Sequence, residues 1–169
     1  VVSIGDSAFD DCTGLTNIDL GNGLFNIGQD AFASSGLVSI KIPASVTGIG
    51  DEAFDGCYGL KSVYFYGNAP NYGRAIFTWA PEDPVYYLPG STGWNDFSLH
   101  NNRPAALWLP AIAESGNLGG ISNRFGFTIN WATGQTAVVE ASSNLSIWQP
   151  LQTNLLEAES TQFVDSAST

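Results

Sequence analysis

Between Ile4 and Phe65 one phrase is written three times: IGDSAFDDCTGLTNIDL, IGQDAFASSGLVSIKI and IGDEAFDGCYGLKSVYF. Superimposed, the copies put Ile4, Ile27 and Ile49 in one column, Phe9, Phe32 and Phe54 in a second, and Leu15, Leu37 and Leu60 in a third. Ile4 and Ile27 are 23 positions apart and Ile27 and Ile49 are 22. A fixed period of that size means stacked coils, because one unit cannot bury its apolar side chains without a neighbour. Each copy closes on an L-x-x-hydrophobic-x-hydrophobic phrase: Leu15/Ile18/Leu20, Leu37/Ile40/Ile42 and Leu60/Val63/Phe65. That phrase is expected to be the strand of each coil, with the Ala-Phe pairs (Ala8-Phe9, Ala31-Phe32, Ala53-Phe54) packing inward from a short turn or helical piece.

A strand alternates its faces, so outward residues stand between the inward ones. These are Asn17 and Asp19, Ser39 and Lys41, and Ser62 and Tyr64, with Tyr66 just beyond. They form short ladders on the sheet, the surface on which repeat proteins usually dock partners. Cys12 and Cys57 hold the same position of copies one and three, with Ser35 between them. Equivalent Cα atoms two coils apart lie ~9–10 Å from each other at the ~4.8 Å strand spacing, beyond the ~7 Å reach of a disulfide. Two buried free thiols are expected, and no metal site, since no His or further Cys lies near in sequence.

The I-G-x-x-A-F-x-x-C-x-x-L-x-x-hydrophobic-x-hydrophobic pattern resembles the BspA-like leucine-rich repeats of bacterial surface proteins, over roughly the first 40% of the chain. What the resemblance implies is a right-handed solenoid used for binding, in attachment to host proteins or to other cells. It implies no chemistry.

Charge narrows the partners. Sixteen acidic side chains face five basic ones, for a net charge of −11. The basic residues Lys41, Lys61, Arg74, Arg103 and Arg124 are scattered, so no cluster is present to displace phosphate counterions, and nucleic acid and anionic membrane are poor partners. Few charges, no Met and abundant Gly suit a secreted or cell-surface protein. No apolar run of ~18 residues is present. The opening VVSIG reads as the tail of one repeat entering the next, so the chain is expected to be a fragment of a longer protein that lacks its own signal.

From Tyr66 to Pro110 prolines and aromatics replace the clear repeat. VYYLPG (Val85 to Gly90) and PAALWLP (Pro104 to Pro110) read as two more strands in degenerate coils that close the solenoid end with an aromatic cap. YYLPGSTGW followed by RPAALW resembles the segment that often follows such repeats in large secreted bacterial proteins. AIAESGNLGGIS reads as a linker over 111–122. FGFTINWA, QTAVVEAS, WQPLQTN and TQFVDS follow as four alternating runs of a small antiparallel β-sandwich-like module over 123–169, expected to be incomplete and to expose an edge that allows self-association. The expected fold is thus a leucine-rich-repeat solenoid of strand-plus-turn coils over 1–110, an aromatic cap, a linker and this module.

Nucleophile and cofactor motifs do not stand out. One histidine, His100, sits in LHNNRP, where a solvent-exposed loop residue is expected, and G-x-S-x-G, P-loop and dinucleotide spellings are missing. A glycosidase would need two facing carboxylates, for which Asp83 and Asp96 beside Trp79 and Trp94 are the best pair. Asp6, Asp30, Asp51 and Glu52 are expected to cap turns. The expectation is a non-catalytic extracellular binding or adhesion protein without cofactor, taking a protein partner on Asn17, Asp19, Ser39, Lys41, Ser62, Tyr64 and Tyr66. The alternative is a carbohydrate-binding surface of Trp79, Trp94 and Trp108, or a hydrolase built on the repeat scaffold.

Overall fold

The computed structural model describes residues 1–101, 103–109, 111–113, 126–141, 146–147 and 149–164. The chain divides into two compact units, Val1–Trp108 and Leu109–Thr169.

The first unit is a β-solenoid. Two parallel sheets run along it, one for each of two sides of the coil. The first collects the I-G phrases: β1 (Ser3–Ile4), β2 (Asn26–Ile27), β4 (Gly48–Ile49) and β6 (Asn71–Tyr72). Their register Ile4↔Ile27↔Ile49↔Tyr72 is the isoleucine column of the sequence, extended by one coil. The second sheet holds β3 (Ser39–Ile42), β5 (Ser62–Phe65), β7 (Val85–Tyr87) and β8 (Ala105–Leu107), in the order β3-β5-β7-β8. Ile40, Val63 and Val85 align there and are buried.

Beyond the first coil, the glycine that follows the isoleucine column is dictated by space. A Cβ on Gly50 would lie 2.5 Å from the Gln29 nitrogen, and one on Gly73 2.3 Å from the Asp51 nitrogen, so only hydrogen lets adjacent coils stack this closely. Gly5, in the first coil described, would meet nothing within 4 Å.

The corner between the sheets is a turn, not a helix. Ser7, Asp30, Glu52 and Ala75 share a left-handed backbone at φ of 52–58°, and four positions later Asp11, Ser34, Gly56 and Trp79 repeat it at 54–63°. The turn thereby points alternate N–H groups at the next coil: Phe9 donates to the Ala31 carbonyl at 2.8 Å, Phe32 to Ala53 at 2.9 Å and Phe54 to Ile76 at 2.9 Å. Inside this corner Phe9, Phe32, Phe54 and Phe77 form one stack, with centroids 5.2, 5.4 and 5.5 Å apart and planes within 15° of parallel. Aromatic rings carry much of the core's apolar burial and favour offset stacking at these separations.

The first coil departs from expectation. Leu15, Ile18 and Leu20 pack on the core, but residues 16–20 do not form a strand, and the Thr16 carbonyl accepts a single bond from the Val38 N–H at 3.1 Å. The Asp19 carboxylate instead accepts from the N–H of Gly21, whose φ is 64°, folding the chain away at Gly21. Cys12 is half-buried rather than buried, whereas the Cys57 thiol is buried and donates to the Phe32 carbonyl at 3.0 Å. Both are free thiols.

The expected aromatic cap is formed by α1 (Trp94–Asn101). Trp94 stacks on Tyr87 at 5.0 Å and packs on Phe65 at 4.7 Å. Phe97 meets Phe65, Tyr72 and Phe77 edge-on.

The second unit contains antiparallel sheets, as expected. β9 (Ala111–Ala113), β10 (Gly126–Asn130) and β13 (Ser160–Val164) form one sheet in the order β13-β10-β9. β11 (Thr136–Ala141) and β12 (Gln149–Leu155) pair with a bulge between Val139 and Glu140. The stretch read as a linker therefore opens with a strand. Ile112 aligns with Ile129 of β10, a pairing that the three-residue run Ala-Ile-Ala between Pro110 and Glu114 is too short to announce. The rest of that stretch, 114–122, lies outside the described residues.

Candidate binding surfaces

The β3-β5-β7-β8 sheet turns a row of alternate residues outward. Lys41, Tyr64, Tyr86 and Ala106 are in register across it, and Ser39 and Ser62 align one step away. The Tyr64 and Tyr86 rings stack at 5.3 Å and 22°. Trp108 follows β8, its N–H donating to the Tyr87 carbonyl at 2.7 Å. Its indole lies 4.5 Å from the Tyr64 ring and 5.4 Å from that of Tyr66, the latter edge-on. Tyr64, Tyr66, Tyr86 and Trp108 thus form one half-exposed aromatic cluster on the outer face.

The structure brings together Ser39, Lys41, Ser62, Tyr64 and Tyr66 from the residues anticipated for protein binding, and leaves Asn17 and Asp19 off the sheet, in the irregular first coil. Tyr86 was missed, although the alternation Val85 in, Tyr86 out, Tyr87 in carries it.

The three tryptophans of the carbohydrate alternative go to three environments. Trp94 is 3% exposed and belongs to the core, its Nε1 donating to Ser91 Oγ at 3.0 Å. Trp108 belongs to the aromatic face. Trp79 is 73% exposed and lines a cleft of about 400 Å³ with Glu82, His100, Asn101 and Arg103. His100 is in the last turn of α1 and not in a loop, with Nδ1 2.8 Å from the Asp96 carbonyl. Asp83 and Asp96, the pair considered for hydrolysis, use their backbone carbonyls structurally: Asp83 accepts from Arg103 Nε at 2.6 Å and Asp96 from the Tyr72 hydroxyl at 3.3 Å.

Arg103 is the least expected of these side chains. It is 2% exposed, donates from Nη2 to the Leu60 carbonyl at 3.0 Å and holds its guanidinium 4.6 Å from the Phe77 ring centre. Burial pulls its pKa down to about 10, although the Asp83 charge acts the other way. Among the described residues no group of three or more His, Cys, Asp or Glu is placed to hold a metal ion. None of their helices is long and apolar enough to cross a membrane.

With two stacked columns and two parallel sheets in place, the repeat can be assigned. The family model of the BspA type leucine-rich-repeat region matches residues 1–80, in six copies. Residues 1–80 are a BspA-type leucine-rich-repeat region. This region holds the whole Phe9–Phe77 stack and β1 to β6, together with Lys41, Tyr64 and Tyr66 of the outer face. Tyr86 and Trp108 come from the coils that follow it, so the aromatic cluster joins the BspA-type repeats to their continuation. No curated protein and no solved structure matches the chain.

Proposed function

We propose that the chain is a non-catalytic binding module, secreted or displayed at a cell surface, that takes a protein partner on the outer face of β3-β5-β7-β8. The observation that carries this reading is the cluster of Tyr64, Tyr66, Tyr86 and Trp108 beside Lys41 on one continuous parallel sheet. Tyr and Trp are the side chains most enriched where interfaces concentrate their energy, since they offer large rigid area with a polar edge. Here the sheet fixes their spacing before any partner arrives, so little ordering entropy remains to be lost on binding. Ser39 and Ser62 flank the cluster as a polar rim.

The experiment is a binding screen of the full chain against a panel of purified extracellular-matrix proteins. The double substitution Tyr64→Ala/Trp108→Ala is expected to weaken any hit at least about tenfold while the BspA-type coils still melt cooperatively. An unchanged affinity in that variant sinks the proposed face.

A further inference from the structure

The cleft beside the last turn of α1 has a composition that the strand face does not explain. Its platform is Trp79, which occupies the second left-handed column of the corner, where earlier coils place Asp11, Ser34 and Gly56. A bulky side chain is a costly choice for that backbone. The ring is nevertheless held 73% exposed and has no stacking partner among the described residues. An outlier of this kind is the usual starting point for a functional hypothesis.

The polar groups around it are mostly acceptors. Asn101 donates its Nδ2 to the Phe97 carbonyl at 2.9 Å, which leaves Oδ1 as its accepting atom. His100 Nδ1 donates to the Asp96 carbonyl, which leaves Nε2 as the ring position without a hydrogen bond to Asp96. Glu82 adds an exposed carboxylate. Arg103 supplies the donor side. Its Nε and Nη2 are spent on the Asp83 and Leu60 carbonyls, while its buried Nη1 has no hydrogen-bond partner among the described residues. Buried donors are almost always satisfied, so an orphan on a residue that lines the cleft points to a partner from outside the chain.

A ligand that suits this set presents a flat apolar face to an indole and several hydroxyls to acceptors. Anions are disfavoured by Glu82 and by a chain of net charge −11, and cations by the buried guanidinium. We propose that the cleft is a binding subsite for a neutral saccharide, stacked on Trp79 with its hydroxyls on Glu82, His100, Asn101 and Arg103. About 400 Å³ is the lower range of small-molecule sites. This subsite is independent of the protein-binding face.

The test is calorimetric titration of the full chain with methyl β-glucoside, methyl β-galactoside, methyl α-mannoside and, as the anionic arm, methyl β-glucuronide. The expected result is saturable binding of at least one neutral glycoside, with Kd on the order of 1 mM. Trp79→Ala is expected to weaken it at least about tenfold and Trp79→Phe to keep it within about threefold. Tyr64→Ala, which disturbs only the strand face, is expected to leave it unchanged. No binding of any neutral glycoside, preference for the glucuronide, or binding indifferent to Trp79→Ala overturns the proposal.

Discussion

The Asp51 carboxylate accepts a hydrogen bond from the backbone N–H of Arg74, one coil further on, at 2.8 Å. Asp6 makes the same reach to the N–H of Gln29 at 2.9 Å. Each carboxylate passes over the glycine that admits it and caps an amide of the neighbouring coil. Asp51→Ala is expected to lower the stability of the solenoid by about 1–2 kcal/mol, and Asp51→Asn, which keeps an acceptor, by less. Arg74→Ala is expected to be nearly neutral, because its 3.6 Å ion pair with Asp51 involves an almost fully exposed guanidinium. Urea unfolding of the three variants separates the cap from the ion pair.

Stacking of the coils predicts unequal costs for one substitution at equivalent glycines. Gly50→Ala drives a methyl to 2.5 Å from the Gln29 nitrogen and is expected to cost about 3 kcal/mol or more. Gly5→Ala, with nothing within 4 Å, is expected to stay within about 0.5 kcal/mol. Equal losses by thermal melting would refute the account of the I-G phrase.

Phe32 and Phe54 each lie between two rings of the stack and are fully buried, whereas Phe9 ends it half-buried. Replacing Phe54 by Ala is expected to cost about 3–5 kcal/mol and replacing Phe9 clearly less. Denaturant midpoints at unchanged slope read the difference.

Burial pushes the Cys57 thiol above its ordinary pKa, with the hydrogen bond from Ser35 opposing in part. A raised pKa in the folded state means that the unfolded chain releases this proton first as pH rises. The contribution of the neutral thiol is therefore complete below the unfolded thiol's ordinary range and is lost as pH climbs through the folded pKa. The melting temperature of the natural chain is expected to fall more steeply between pH 7 and pH 10 than that of Cys57→Ala. Under native conditions a thiol reagent is expected to label half-buried Cys12 ahead of Cys57.

What the sequence made legible follows from period. Columns of identical residues, Ile4/Ile27/Ile49 and Phe9/Phe32/Phe54, need no structure to be seen, and they fix the coil and its core. The fourth coil is hidden because Tyr72, Ile76 and Phe77 spell the same phrase with other letters: tyrosine fills the isoleucine position, isoleucine the alanine. The left-handed columns are hidden for a different reason. Asp, Ser, Glu, Ala and Trp share no side-chain property there; hydrogen bonds to the next coil impose the conformation from outside. The tryptophans could not be sorted by composition, since Trp94 in a helix facing Phe65 and Trp79 at an open corner differ only in what surrounds them.

The corner in which Phe9, Phe32 and Phe54 each donate to the coil beyond has a mechanical consequence. The coils from Ile27 onward are clamped to their neighbours at both sheets and at the corner, so chain length changes most readily by whole coils of 22 or 23 residues. Excising Ile27 through Gly48 removes 22 residues and brings Asn26 to Ile49 with every column still in phase. A one-residue difference is tolerated only where the chain already absorbs one, between Phe32 and Leu37, which are five positions apart where Phe9 and Leu15, and Phe54 and Leu60, are six.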